Sequence, residues 1–386
     1  MKIVIAMDSF KGSLSSLAAG TAVCSGILRV YPDAKIQVLP LADGGEGTVE
    51  ALTLGLGGEL QSIEVTGPID GQKVTASYGI LRDKKTAIIE MAAAAGLTLL
   101  PPEKRNPIYT TTYGVGEILR DAIHKGCRHF IVGIGGSATN DGGLGMLQAL
   151  GWQMRDSLGK SVSHNALGLE KLAVIDDSTV LPELNECTFR IACDVTNPLL
   201  GQEGCSAVFG PQKGAPPNLI PIMDKWLQHY AELAKEKYPQ ANPQAPGAGA
   251  AGGLGFAFLT FTRAALESGI NIVMKETRLE EQIAAADMVI TGEGCLDGQT
   301  IMGKAPIGAA RIAKKYGKPV IAFSGCATPK AKLCNDHGID AYFPILRQIT
   351  TLSQALEPTN AQQNLTDTVE QVFRLIKTTS NQQQRP

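Results

Sequence analysis

Short apolar runs of strand length recur along the chain, and most of them end at a loop rich in glycine and charged residues. Lys2–Met7 reads as a buried strand, and Ser13 is placed to N-cap a helix running to about Val30. Ile36–Pro40 reads as a second strand, followed by a loop and a helix from Thr48. The texture changes near Val65–Pro68. Gln72–Leu81 and Lys85–Glu90, joined by Arg82–Lys84, read as a β-hairpin. Gly114–His124 and Ile220–Lys237 read as helices, and Phe130–Ile134 and Phe189–Cys193 as buried strands. Pro239–Gly255, rich in proline, alanine and glycine, reads as a hinge or ligand loop. The doubly wound texture returns with strands at Asp287–Thr291, Pro319–Ser324 and Ala341–Ile345. Pro306–Tyr316 reads as a helix with proline in its first turn, and Ala361–Lys377 as a closing helix.

At 386 residues the chain is too long for one typical core. The pattern predicts an α/β protein with a discontinuous domain, residues 1–66 plus 278–386, and a second α/β domain, 67–277, inserted in it. A charged fraction of 19% beside 44% hydrophobic residues is ordinary for a globular enzyme. Net charge is −2 and no run of lysine and arginine stands out, so nucleic-acid binding has little electrostatic support. No apolar run is long enough to span a bilayer, and the first one is short for a signal segment. The eight cysteines show no C-x-x-C pair and no zinc spacing. Reduced thiols in a cytoplasmic protein are expected, without membrane or nucleic-acid partners. Oligomeric state cannot be read from the sequence.

The loops carry the chemistry. Asp8-Ser9-Phe10-Lys11-Gly12-Ser13 and Ala42-Asp43-Gly44-Gly45-Glu46-Gly47 follow the first two strands. Open α/β sheets bind ligands at that edge. Gly135-Gly136-Ser137, Asp194 to Asn197, Gly210 to Gly214 with Lys213, Pro246 to Gly255, Thr291 to Gly294 and Asp297 to Lys304 complete the set. Bare backbone amides bind anions where glycine lets them come close. Carboxylates hold Mg²⁺, which bridges phosphate oxygens. Gly247, Gly249 and Gly252 spell G-x-G-x-x-G, but Asn242–Pro246 precedes them where a strand should be. That argues for an ATP-contacting or hinge role over nicotinamide binding. Gly298 to Lys304 is nearly a phosphate-binding P-loop, but Ala305 replaces the Ser/Thr that would hold Mg²⁺. Lys304 is then a phosphate contact or a plain surface lysine. Asp141 either serves the site or caps the following helix. Cys295 as a nucleophile finds no histidine in its segment.

Taken together these segments resemble the bacterial glycerate kinase family, type 1. The matching stretches are DSFKGSLS (8–15), PLADGGEGT (40–48), EMAAAAGL (90–97), TTYGVGE (111–117), GGSATNDGG (135–143), CDVTNPL (193–199), GPQKGA (210–215), PGAGAAGGLG (246–255), TGEGCLDGQT (291–300) and GKAPIG (303–308). They cover nearly the whole chain in one order. The resemblance implies a Rossmann-like parallel-sheet domain with the second α/β domain inserted and a cleft between them. It also implies phosphorylation of D-glycerate by ATP with Mg²⁺, giving 2-phosphoglycerate. The family pattern usually reads Gly-Glu-Gly-Arg-Leu-Asp, and here Cys295 stands at the arginine position.

On this reading Asp194 or Asp297 accepts the hydroxyl proton, with Lys11 as a catalytic charge. Asp8, Asp43 and Glu293 are the expected Mg²⁺ ligands. Lys213 and Lys304, with Ser9 and Asn197, are expected at the substrate and its phosphate. The Gly135, Gly136, Ser137 backbone and that of Gly247, Gly249 and Gly252 are expected at the nucleotide. Three alternatives stay open: a 3-phosphoglycerate product, a kinase of the same fold for another small hydroxy acid, and a non-catalytic metabolite or nucleotide sensor.

Overall fold

A computed structural model of the chain describes residues 1–42, 45 and 47–383. In chain order the strands begin with β1 (Lys2–Met7), β2 (Lys35–Val38), β3 (Glu59–Thr66), β4 (Lys73–Ile80) and β5 (Thr86–Glu90). Next come β6 (His129–Gly133), β7 (Gln153–Arg155), β8 (Val174–Asp176) and β9 (Thr188–Ala192). The last are β10 (Ala264–Glu267), β11 (Met288–Leu296), β12 (Val320–Ala327) and β13 (Ala341–Pro344). The chain divides into two compact units, Met1–Asp43 with Val273–Pro386, and Gly44–Ile272.

The first unit is a parallel sheet in the order β13-β12-β11-β1-β2. β1 is apolar after its lysine because helices cover both faces of such a sheet. One face carries the helices Ser16–Leu28 and Pro358–Gln383, which meet through Val23, Ile27, Leu365, Val369 and Phe373. Successive strands run outward from β1 on one side and from β11 on the other. The order therefore reverses between β1 and β11, and ligands of doubly wound sheets bind at such a switch point, beyond the carboxyl ends of the strands.

Strands β11 and β12 run further than the sequence predicts. Thr291 and Ser324 read as strand ends because glycines follow. In the structure β11 continues to Leu296, paired with β12 as far as Ala327. The glycines permit this. A Cβ on Gly292 would lie 1.9 Å from the Phe323 carbonyl oxygen, and one on Gly325 would lie 2.5 Å from the Gly294 oxygen. The helix cap also differs. Ser15, not Ser13, caps Ser16–Leu28, its hydroxyl accepting from the Ala18 amide at 3.3 Å. Phe10–Leu14 instead closes a tight turn, with both Ser13 and Leu14 amides donating to the Phe10 carbonyl.

The second unit holds a mixed six-stranded sheet, β10-β9-β6-β5-β4-β3, parallel from β10 to β5 and antiparallel through β4 and β3. The hairpin at Gln72–Glu90 is present as β4 and β5. Glu59–Thr66, which the sequence reading kept with the first strands, is β3 and pairs along its length with β4. β7 and β8 form a separate antiparallel pair. Among the described residues no helix is long and apolar enough to cross a membrane.

Gly292→Ala is expected to destabilise the protein by about 1–3 kcal/mol, since the added methyl meets backbone and not a yielding side chain. A urea unfolding series checks this, and an unchanged midpoint would mean the two strands separate freely here.

Candidate active site

Beyond the carboxyl ends of β1, β11 and β12 lies a cavity of about 350 Å³. The loop after β1 contributes Asp8, Ser9 and Lys11, β11 contributes Glu293 and Cys295, and the turn after it contributes Asp297. Lys304 enters as the residue before the helix Ala305–Lys315, whose proline sits in the first turn. Ile345, Leu346, Leu352 and Leu356 make an apolar wall.

The polar side is tightly bonded. Thr300 donates its hydroxyl to Glu293 Oε1 at 2.7 Å, and Lys304 Nζ lies 3.2 Å from Glu293 Oε2. Burial pushes the Glu293 carboxyl up, and Thr300 and Lys304 pull against it without cancelling it. Burial also works against the Lys304 ammonium, but Glu293, Asp297 and Asp8 outweigh it and hold Lys304 above the usual lysine value. Asp297 Oδ1 accepts from the Gln299 amide at 2.8 Å and the Thr300 amide at 3.1 Å. Burial raises the Asp297 carboxyl, yet these amides and Lys304 together bring it below the usual range. Asp8 is buried, with Oδ1 accepting from the Ser9 amide at 2.7 Å. Lys11 is exposed. Gly294 lets this loop come close, because a Cβ there would sit 3.3 Å from Phe10 Cα. Burial pushes the Cys295 thiol up to about 11, so it rests protonated near neutrality, which argues against a nucleophilic role in turnover.

The second unit brings three motif loops together around buried charge. Asp141 is fully buried and accepts four hydrogen bonds, from the Thr112 amide (2.8 Å) and hydroxyl (2.7 Å) and from the amides of Gly143 (3.2 Å) and Gly145 (3.3 Å). It takes the Gly143 and Gly145 amides at the start of the helix Leu144–Ala149, whose N-cap is Gly143, and ties that start to Thr112. Burial pushes its carboxyl up against those four bonds. Lys213 is 2% exposed, and Nζ donates to Ser137 Oγ and the Thr139 carbonyl, each at 2.7 Å. Gly135 and Gly136 remain exposed. Gly249 and Gly252 are packed: a Cβ would meet the Pro198 oxygen at 2.1 Å and the Thr139 oxygen at 2.0 Å. Gly247 is buried against Leu266 and Cys193. Ala251, Gly252 and Gly253 all have positive φ, and the chain kinks there. The G-x-G-x-x-G run thus fits backbone against backbone, with no strand before it.

Residues 3–377 match the sequence model described as the glycerate kinase family. The chain belongs to the glycerate kinase family. It is 50% identical over 376 residues to a glycerate kinase of Haemophilus influenzae, covering 97% of this chain and 99% of that one. It is also 50% identical over 355 residues to a glycerate 2-kinase of Escherichia coli, covering 92% and 93%. A crystal structure of a glycerate kinase 2 candidate from Salmonella typhimurium LT2 superposes with a TM-score of 0.91 at 49% identity, covering 99% of both chains.

For this kinase, the structure gathers Asp8, Ser9, Lys11, Glu293, Asp297 and Lys304 into one cavity. Lys304 is no plain surface lysine, since it is half-buried and paired with carboxylates. Asp194 is exposed at the carboxyl end of β9, and its Oδ1 accepts from the Gly269 amide at 3.2 Å. Asn197 donates to the Glu203 carbonyl at 2.9 Å and closes a turn. Asp43 lies outside the described residues, as do Gly44 and Glu46 of the same loop. The sequence reading missed Thr300, Cys326 and the leucine wall. Asp297-x-x-Thr300 is a turn pattern that points to Thr300, but nothing local marks Leu352 or Leu356 as facing a site.

Burial brings Lys213 down to about 8, with Cys205 and Asp141 pulling weakly the other way. Below that pH the lysine is charged in the folded and unfolded chain alike. From about 8 to the ordinary 10.5 only the unfolded chain keeps the proton, so stability rises with pH in that window. Lys213→Met is expected to remove a rise on the order of 3 kcal/mol, read as the wild-type minus variant difference in unfolding free energy across that window. Parallel pH curves would mean the ammonium is not held away from water.

Proposed function

We propose that the protein transfers the terminal phosphoryl group of ATP to the 2-hydroxyl of D-glycerate, giving 2-phosphoglycerate. The observation that carries this reading is the convergence of Asp8, Lys11, Glu293, Asp297 and Lys304 on one cavity at the switch point of a parallel sheet. Phosphoryl transfer needs positioning and charge neutralisation more than covalent help. Lys304 at a helix start and Lys11 on the exposed turn are the cations for phosphate and carboxylate. The apolar wall of Ile345, Leu346, Leu352 and Leu356 suits the nucleotide base. The exposed Gly135–Gly136 backbone, held in place by Lys213 through Ser137, is a second place for an anion.

The donor set fits Mg²⁺ shared with phosphate. Oxygen is the donor Mg²⁺ prefers, and it ordinarily takes one or two carboxylates and completes its shell with water and phosphate. Among the described residues no three acids, cysteines or histidines gather into a metal cage. Asp8 is the first carboxylate we assign to it, and Glu293, bonded on both oxygens, the second. When bound, the ion neutralises charge on the phosphate oxygens. Three acids to two lysines leave the cavity short of positive charge for two anionic substrates, which the ion would correct.

The test is ³¹P NMR of the purified protein with Mg²⁺–ATP and D-glycerate. A new phosphate-monoester doublet, split by one proton, is expected. A triplet would move the phosphate to the 3-hydroxyl. No new resonance with ATP intact would sink the reading.

Two acids remain open for the hydroxyl proton. Asp297 is held ionised by two amides and Lys304, which makes it a weak base, while Asp194 stands exposed beyond β9. Asp194→Asn is expected to lower kcat by about 100-fold or more while the thermal midpoint holds. Near-normal turnover in that variant, with collapse in Asp297→Asn, would reverse the assignment.

A further inference from the structure

The cavity contains a feature that phosphoryl transfer does not use. Cys295 of β11 and Cys326 of β12 are register partners on neighbouring parallel strands. Side chains at register partners leave the same face of a sheet, and the strands lie roughly 4.8 Å apart. That separation lies within the Cα distance a disulfide spans. Both sulfurs are free thiols, and both residues line the cavity. Each cysteine stands one residue before the end of its strand, where the backbone can close the remaining gap. Cys326 is exposed, so a small oxidant can reach it, and Cys295 is half-buried.

We propose that Cys295 and Cys326 are a dithiol modification site, which a hydroperoxide converts to a reversible disulfide that shuts the cavity down. The Cys326 sulfur attacks one peroxide oxygen and the O–O bond breaks, leaving a sulfenic acid on Cys326 and releasing water or the alcohol. The Cys295 sulfur then attacks the sulfenic sulfur, the S–S bond forms, and a second water leaves. In total two thiols give up two protons and two electrons, and the peroxide is reduced. The other cysteines do not share this arrangement, since none of them lines the cavity.

The consequence follows from position. Glu293 and Asp297 lie two residues to either side of Cys295, and both hold Lys304. Drawing the ends of β11 and β12 together moves those carboxylates and the lysine with them. This consequence rests on the cavity being the site of phosphoryl transfer. Formation of the disulfide does not.

The experiment treats the full-length protein with hydrogen peroxide, alkylates the remaining thiols under denaturing conditions and reads the intact mass and the linked peptides. Wild type is expected to lose the mass of two hydrogens, to protect two thiols from alkylation and to yield one linked pair, Cys295 with Cys326. Its kcat is expected to fall by about tenfold or more, the scale of a small displacement in a positioned site, and to recover with dithiothreitol. Cys295→Ser and Cys326→Ser, each compared with its own untreated form, should form no such link and show no reversible loss. Oxygen addition to Cys326 without a cross-link overturns the proposal, as does a link between other cysteines. A Cys295–Cys326 link with unchanged kinetics overturns the shut-down. Lys304→Ala in the reduced protein tests the cavity separately, because full activity there would refute the site reading whatever the thiols do.

Discussion

Glu293 is a carboxylate set on a strand inside a parallel sheet, and the cavity is organised around the cost of burying it. A buried charge is tolerated only when it is paired and hydrogen-bonded. Thr300 and Lys304 supply those bonds from the turn that follows. Asp297 in turn fixes that turn by accepting the Gln299 and Thr300 amides. The glycines before, beside and across from Glu293 let β11 and β12 stay paired while the loop after β1 packs against them. Replacing any of these glycines with a larger residue would push backbone apart, so the motif is a packing requirement first and a chemical one second.

The second unit solves the same problem with opposite signs. Asp141 and Lys213 are both buried, and neither makes an ion pair with the other. Asp141 is satisfied by two backbone stretches and a threonine. Lys213 is satisfied by a hydroxyl and a carbonyl of the Ser137–Thr139 segment. Four motif segments, 111–117, 135–143, 210–215 and 246–255, are tied together by these bonds and by glycine contacts. The result is a fixed backbone at Gly135 and Gly136, exposed but held from beneath.

The strands and long helices were legible because their signal is local. Lys2–Met7 and Ile220–Lys237 stand where the apolar pattern put them. The ends of β11 and β12 were not legible, because glycine in isolation marks a turn, whereas here a facing glycine and a facing carbonyl make it a strand residue. Ser13 has the look of a cap, but the Phe10 carbonyl claims its amide and moves the helix start to Ser15. Asp8, Lys11, Glu293, Asp297 and Lys304 were legible as a set through the order of the motifs, and what joins them is the strand order β11-β1, which only the folded chain supplies. Lys213 could be picked out as a lysine in a glycine loop, but not as a buried one. Lysine is almost never fully buried, and its partners lie more than seventy residues away.

Placing the charges on strands and helix starts also shapes what a phosphate would meet on the proposed function. Lys304 is held by carboxylates, so on the proposed function its ammonium would give up little rotamer freedom in turning to a phosphate oxygen. That exchange would swap one anionic partner for another and leave the desolvation of the lysine nearly unchanged. The three acids around it favour its protonated form. Lys11 is exposed on its turn, which on the proposed function suits it to the part of the ligand that comes and goes most freely.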